Sequence, residues 1–521
     1  MHMVKHLLLV ITLLFLVFSC AIQGSIDGGP KDIKAPAHNT DKSSPKNESI
    51  LFNTNEIHLK FDEFFKLNNP TTNIFIVPNN LKIDAVAKDK ELILKLIGEL
   101  QKETTYAIYL NNAVQDIHEG NDSLLTYVFS TGKWIDSLMY SGTILDAFKR
   151  TPLKDITVGL YSDTCTSYFQ KAHYFTSTNE MGNFTFKYLK PGKYKVIAFK
   201  DINKDLVPQE HENLGFKKEF IQLDKTIKDS IPMVLFTPKP KRIIKSVTFI
   251  GPNQFIVSAN ETIDNATFAV EGIVIKPFMN MHRSDSVSIF PNIKGKDTLK
   301  LKLFVGNKMD SAFVRIPAKD LIKIPKLYYP TLIDTTENIT ISASDFINKI
   351  NVDSIQINGN DSIKTSYEVI HKSDNSFTLK VNNKKYKNLT IKLLKNSIDF
   401  NNYKDKFSST ININYINPTS VGILNVNTSN LNKGEIVELI YNDKVVNRYT
   451  INGSDKTYII RNLENGNYFI RVINDENQNG RWDTGDFKNQ QDPEQVRWYN
   501  DPIVVRPNWE VDVVFDPTKW R

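Results

Sequence analysis

Apolar and polar residues alternate along most of this chain. Ile57-His58-Leu59-Lys60-Phe61, Leu92-Ile93-Leu94-Lys95-Leu96 and Tyr106-Ala107-Ile108-Tyr109-Leu110 open the pattern. Thr298-Leu299-Lys300-Leu301-Lys302-Leu303, Leu389-Thr390-Ile391-Lys392-Leu393 and Thr410-Ile411-Asn412-Ile413-Asn414-Tyr415 continue it. A period of two sends one face of a strand into a core and the other to water. No long stretch keeps a helical period. Short strands separated by polar turns predict an all-β protein, built from tandem β-sandwich modules.

Internal repeats divide the chain. Leu189-Lys190-Pro191-Gly192-Lys193-Tyr194-Lys195-Val196 is echoed by Leu463-Glu464-Asn465-Gly466-Asn467-Tyr468-Phe469-Ile470. The register holds onward, with Asp201, Asn203 and Asp205 matching Asp475, Asn477 and Asn479. A fainter echo links Asp116 and Asp122, before Phe129-Ser130-Thr131-Gly132, to Asp399 and Asp405, before Phe407-Ser408-Ser409-Thr410. Seven segments follow: a leader at 1–19, a flexible tether at 20–48, and modules at 49–132, 139–237, 238–328, 329–418 and 419–516. The spacing of about 100 residues suits small sandwiches, and five in series predict a rod.

The order of motifs in 139–237, beginning at Gly142-Thr143-Ile144-Leu145 and running through Gly182-Asn183-Phe184-Thr185-Phe186 to the Pro-Gly turn, resembles the carboxypeptidase-regulatory-like, transthyretin-like sandwich. Residues 419–516 resemble it more loosely. Such domains are usually non-catalytic stabilising or interaction modules. Residues 49–132, with Phe61-Asp62-Glu63, Thr104-Thr105-Tyr106 and Phe129-Ser130-Thr131-Gly132 in order, resemble bacterial Ig-like domains of the surface-layer type. Residues 329–418 resemble a degenerate relative, and 238–328 are expected to be Ig-like.

The N-terminus bears on location. An apolar run, Leu7 to Phe18, follows Lys5 and ends in Leu16-Val17-Phe18-Ser19-Cys20. The run is shorter than the ~20 residues of a membrane span and suits a cleaved leader. The cysteine after a small residue resembles the bacterial lipobox. That resemblance implies cleavage before Cys20 and a lipid anchor on it, and Phe18 is bulkier than the pattern prefers. An ordinary secretory leader with a chance cysteine is the alternative. The Gly28-Gly29-Pro30-Lys31-Asp32 stretch resembles the tethers of Bacteroidota-type lipoproteins, which implies the outer membrane and the cell surface, with the periplasmic face as alternative.

Composition excludes more than it assigns. The 521 residues contain two cysteines, so neither a disulfide scaffold nor a Cys-rich zinc protein is possible. Cys165 is left without a partner and is expected to be a strand residue. The net charge of +7 is mild for this length and gives no dense basic face for nucleic acid.

The sharpest chemical motif is Asp475-Glu476-Asn477-Gln478-Asn479-Gly480-Arg481-Trp482-Asp483-Thr484-Gly485-Asp486. Asp475, Asn477, Asn479, Asp483 and Asp486 fall at positions 1, 3, 5, 9 and 12, with Gly480 at 6 and the Arg481 carbonyl at 7. That is the spacing of an EF-hand-type calcium loop. Alternate residues of a tight loop turn oxygens inward, and Ca²⁺ takes six to eight of them. The alternative is a turn braced by its own Asx bonds. The first copy offers a weaker set: Asp201, Asn203, Asp205, Val207, Gln209 and Glu212. Leu206 stands there where glycine is wanted, and a plain turn is an equal reading.

Enzyme signatures are missing: no Gly-x-Ser-x-Gly, Walker or Gly-x-Gly-x-x-Gly motif, and no second histidine after His211-Glu212. Asp62-Glu63 reads as a strand end. Trp498-Tyr499, just past the calcium-type loop, is the expected exposed contact. The chain is therefore expected to be a non-enzymatic lipoprotein, an accessory or scaffold subunit contacting outer-membrane proteins of an assembly or secretion machine. Surface glycan binding is the first alternative, and a hydrolase hidden in 238–418 the second.

Overall fold

The computed structural model describes residues 33–520, apart from 119, 121, 240–242, 251–253, 261–262, 264–265, 276–277, 280–285, 290–297, 306–307, 316–323, 360–362, 383–386, 402, 455 and 516–519. The leader, Cys20 and the start of the tether lie outside the described residues. The described chain is almost entirely β, and its strands make paired sheets around five large hydrophobic cores, with two smaller clusters where the second and fifth modules meet.

In the first module, Glu56–Phe61 lies between His38–Ser44 and Glu91–Ile97, with Lys82–Lys88 at the far edge. The long strand Thr105–Asp116 carries the opposing sheet. Between them Ile57, Leu59, Leu92, Leu94, Tyr106, Ile108 and Phe129 are buried, the inward positions of the alternating runs. The tether is shorter than expected. His38–Ser44 is an edge strand, the Tyr127 hydroxyl donates to the Pro45 carbonyl at 2.9 Å, and Asn47 Oδ1 accepts the Val128 N–H at 2.7 Å.

The second and fifth modules share one topology. In the second, Thr157–Ser162 pairs with Tyr174–Ser177 on one side and Gly192–Phe199 on the other. In the fifth, Ile436–Tyr441 pairs with Lys444–Thr450 and Gly466–Ile473 in the same way. Each has a closing strand that runs parallel to the first: Met233–Leu235 beside Leu138–Asp146, and Glu510–Val513 beside Gly422–Asn427. The repeated tyrosine does the same work twice. The Tyr194 hydroxyl donates to the Lys190 carbonyl at 3.0 Å, and the Tyr468 hydroxyl to the Glu464 carbonyl at 2.9 Å. Each phenol thereby staples its strand to the turn four residues upstream.

The third module is also a two-sheet sandwich, and the fourth adds to its two sheets a short pair, Ile347–Ile350 with Ile398–Phe400. Phe255, Val257, Phe268, Leu299, Leu301 and Leu303 fill one core; Ile339, Ile341, Phe377, Leu379, Ile391 and Ile411 fill the other. These filled cores occupy the region where a hidden hydrolase was the alternative. Among the described residues no three His, Cys, Asp or Glu side chains are grouped to hold a metal.

The expected rod is not what forms. The fifth module folds back onto the second, so the third and fourth lie in an excursion between two docked partners.

Candidate functional site: a calcium-type loop at a module junction

Both acidic loops follow the central strand of their module and are wound by the same bonds. Asp475 accepts the N–H groups of Asn479 at 3.0 Å and Gly480 at 2.7 Å. Asp201 accepts those of Asp205 at 3.1 Å and Leu206 at 2.9 Å. One carboxylate thus gathers the backbone of positions 5 and 6 in each copy. Position 6 has positive φ in both, +78° at Gly480 and +63° at Leu206. Glycine adopts that conformation freely, and leucine at a steric cost.

The twelfth position differs from the sequence expectation. In the first loop Glu212 accepts the N–H of Ile202 at 3.0 Å and of Gln209 at 3.1 Å. In the second, the equivalent carboxylate is Glu494, which accepts the N–H of Glu476 at 3.1 Å and of Asp483 at 2.8 Å. Asp486 instead turns away and holds Asn489, its Oδ1 accepting the backbone N–H at 3.0 Å and its Oδ2 the side-chain amide at 2.7 Å. The separation hid this partner. Glu212 lies three residues after Gln209, and Glu494 eleven after Asp483, beyond an inserted hairpin closed by Asp486 and Gln491.

The second loop therefore gathers Asp475, Asn477, Asn479, Asp483 and Glu494. Asn477 and Asn479 both donate side-chain N–H to Asp483 Oδ2, at 2.7 and 2.5 Å. Burial pushes Asp483 up, but the Asn477 amide and the Lys239 ammonium outweigh it and leave it below its ordinary value. Burial holds Glu494 above the usual carboxylate range, with negative Asp483 and Asp475 adding to the effect. The oxygen donors are of the hard type that calcium takes, but as they stand no three of the carboxylates are grouped to hold a metal. To present amide oxygen to a cation, Asn477 and Asn479 would each have to rotate the amide now turned to Asp483. Arg481 has its N–H on Asn479 Oδ1 at 3.0 Å, while Val207 in the first loop bonds Asp205 Oδ1 at 2.8 Å.

The inserted hairpin has a second role, for it carries most of the docking onto the second module. Phe487 is 8% exposed and packs edge-on to Phe216 at 5.7 Å and Phe169 at 5.6 Å. At Gly485 a Cβ would lie 2.7 Å from the Phe236 ring, so only glycine permits this approach. Lys195 Nζ, pushed down by burial, donates to the Lys218 carbonyl at 2.6 Å and to Gln490 Oε1 at 2.9 Å. Lys239 pairs with Asp483 at 3.2 Å, and the Thr484 hydroxyl donates to the Thr237 carbonyl at 2.6 Å.

Trp498 and Tyr499 are not the exposed pair expected of them. The Trp498 indole N–H donates to the Phe148 carbonyl at 3.0 Å. The Arg471 guanidinium, paired with buried Glu438, lies 4.0 Å from the Phe148 ring centroid and 5.0 Å from that of Trp498. Tyr499 is buried against Phe515 and Trp520. The exposed tryptophans are Trp134 at 60% and Trp509 at 55%. Two smaller expectations can be placed. Cys165 is not the strand residue expected: it lies in the turn after Thr157–Ser162, its N–H on the Ser162 carbonyl at 3.0 Å, half-buried, with its thiol donating to the Ser167 carbonyl at 2.8 Å. Asp62 accepts the Ala37 N–H at 2.8 Å, and so ties the chain entering the first strand.

A family model described as a bacterial Ig-like domain matches residues 32–131. Its start agrees with the inclusion of His38–Ser44 in the first sandwich. No curated protein matches the chain significantly. Solved structures with matching stretches include the Bacillus anthracis TIE protein, 9% identical over 94% of this chain and 75% of that one, at a TM-score of 0.15. The surface-layer protein SbsC, domains 1–6, is 11% identical over 82% of this chain and 65% of that one, also at 0.15. BcpA, the major pilin subunit of Bacillus cereus, is 13% identical over 73% and 98%, at 0.13.

Proposed function

We propose that the protein is a non-enzymatic scaffold of the cell surface, lipidated at Cys20, held in the outer membrane and serving as an accessory subunit to outer-membrane proteins. The observation that carries the scaffold reading is the docking of the fifth module on the second. A chain of flexibly linked modules would not keep its faces in fixed relation. One closed through aromatic packing, ion pairs and a buried lysine does, and that suits a part whose work is to position other proteins. The Ig-like match at 32–131 supports a surface role, and the lipobox-like end of the leader supports the anchor.

Calcium belongs to this reading as a structural ion. Asp475, Asn477, Asn479, the Arg481 carbonyl, Asp483 and Glu494 would hold it, and it would stiffen the loop that carries the docking hairpin. The first loop, with Asp201, Asn203, Asp205, Val207, Gln209 and Glu212, is the weaker candidate.

The test is recovery from membranes. Cys20→Ala should release the protein from the membrane fraction, and mild-detergent capture of the native form should bring down an integral outer-membrane protein. Continued anchoring of the variant would refute lipidation at Cys20. Capture of the protein alone would count against the scaffold role.

A further inference from the structure

We propose that the cleft between the second and fifth modules binds a small oxyanion-bearing ligand, with Arg150 as its anchor. The cleft has a volume of about 1030 Å³ and is walled by both modules. That is the size at which proteins enclose small molecules.

Four cations and five carboxylates, Glu219, Glu476, Asp483, Asp492 and Glu494, line it, and three of the cations are already committed. Lys217 pairs with Asp229 at 2.7 Å, Lys218 with Asp492 at 2.9 Å and Arg497 with Glu435 at 2.6 Å. Arg150 is the exception. Among the described residues its guanidinium makes no hydrogen bond or ion pair, and its Nε is closed off from solvent without a partner. Burial pushes its pKa below the ordinary arginine value. The guanidinium is half-buried and unpaired, and an anion in the cleft would give it a partner.

The arginine is also held in place. Its N–H bonds the Asp146 carbonyl at 3.0 Å, and Asp146 Oδ1 accepts the N–H groups of Phe148 at 2.9 Å and Lys149 at 2.7 Å. Phe148 is the residue pinned by Trp498. Docking of the modules therefore fixes the backbone turn from which the guanidinium projects. Guanidinium matches carboxylate and phosphate alike through two parallel bonds. Phe220 and Met233 give the cleft an apolar wall for the stem of such a ligand.

The experiment is calorimetric titration of the full chain with galacturonate, glucose 1-phosphate and, as neutral control, glucose. Saturable binding of either anion and none of glucose is expected. Galacturonate alone would identify a carboxylate ligand, glucose 1-phosphate alone a phosphate ligand, and both the shared oxyanion chemistry. Arg150→Gln should weaken binding at least ten-fold, with Arg150→Lys between the two and the ligand-free melting temperature of either variant no lower than native. On the unaltered protein, the bound anion should raise the melting temperature. No saturable binding of either anion, glucose binding as tight as theirs, or unchanged affinity in Arg150→Gln would overturn the assignment.

Discussion

The indole N–H of Trp498 donates to the main-chain carbonyl of Phe148 at 3.0 Å, across 350 positions of sequence. The bond joins two copies of one repeat, and the ring of Phe148 lies between Trp482, 4.8 Å away, and the Arg471 guanidinium. The hairpin inserted beside it supplies the remainder of the contact.

Disrupting the hairpin should therefore open the chain without unfolding its modules. Gly485→Ala drives a methyl into Phe236, and Phe487→Ala empties an aromatic pocket at the centre of the contact. Each should cost roughly 2 kcal/mol or more of docking free energy. Small-angle scattering should show an increased radius of gyration while the far-ultraviolet dichroism stays native; an unchanged radius would contradict the assignment.

Calcium should raise the melting temperature, and the variants should separate the two candidates for the twelfth ligand. Asp475→Ala and Glu494→Gln should abolish the rise, whereas Asp486→Ala should keep it. A rise that survives Glu494→Gln but is lost in Asp486→Ala would restore the spacing read from the sequence. No rise in native protein would exclude calcium from the loop.

The two stapling tyrosines should be equivalent. Tyr194→Phe and Tyr468→Phe each remove one hydrogen bond to a turn and keep the ring, so each should cost about 0.5–1.5 kcal/mol in denaturant unfolding. A neutral result at both would show that the shared phenol is incidental.

Alkaline stability follows from buried phenols. Burial pushes Tyr127 and Tyr109 up to about 12 from an ordinary value of 10.0. A raised folded pKa means that the fold prefers the protonated phenol. The contribution is whole below about pH 10, where the unfolded phenol titrates, and is lost as pH rises toward about 12. The melting temperature should fall through that window, and Tyr127→Phe should make the fall shallower. The same slope in the variant would remove Tyr127 from the account.

The sheets were legible because each core face is written as alternation, and the shared topology because Gly192 with Tyr194 and Gly466 with Tyr468 keep one register. His38–Ser44 was hidden by its composition. An edge strand of His, Asn, Thr, Asp, Lys and Ser buries little and is held by backbone pairing, which leaves no apolar pattern. Glu494 was hidden because ligand spacing counts residues, and the inserted hairpin moves the carboxylate along the chain but not in space. The docking left no local signal, since Phe487 and Trp498 look like any core or surface aromatic until the opposite module is in place. Arg150 was invisible for the same reason: its isolation is a property of the cleft.

The closed arrangement is most directly tested by zero-length carbodiimide cross-linking of the native monomer. Lys218 Nζ and Asp492 Oδ2 are 2.9 Å apart across the junction. A closed chain predicts an intramolecular amide linking the Lys218 and Asp492 peptides, lost in Phe487→Ala. Absence of that link in the native protein, with other lysine–carboxylate pairs within single modules cross-linked as usual, would contradict the docking.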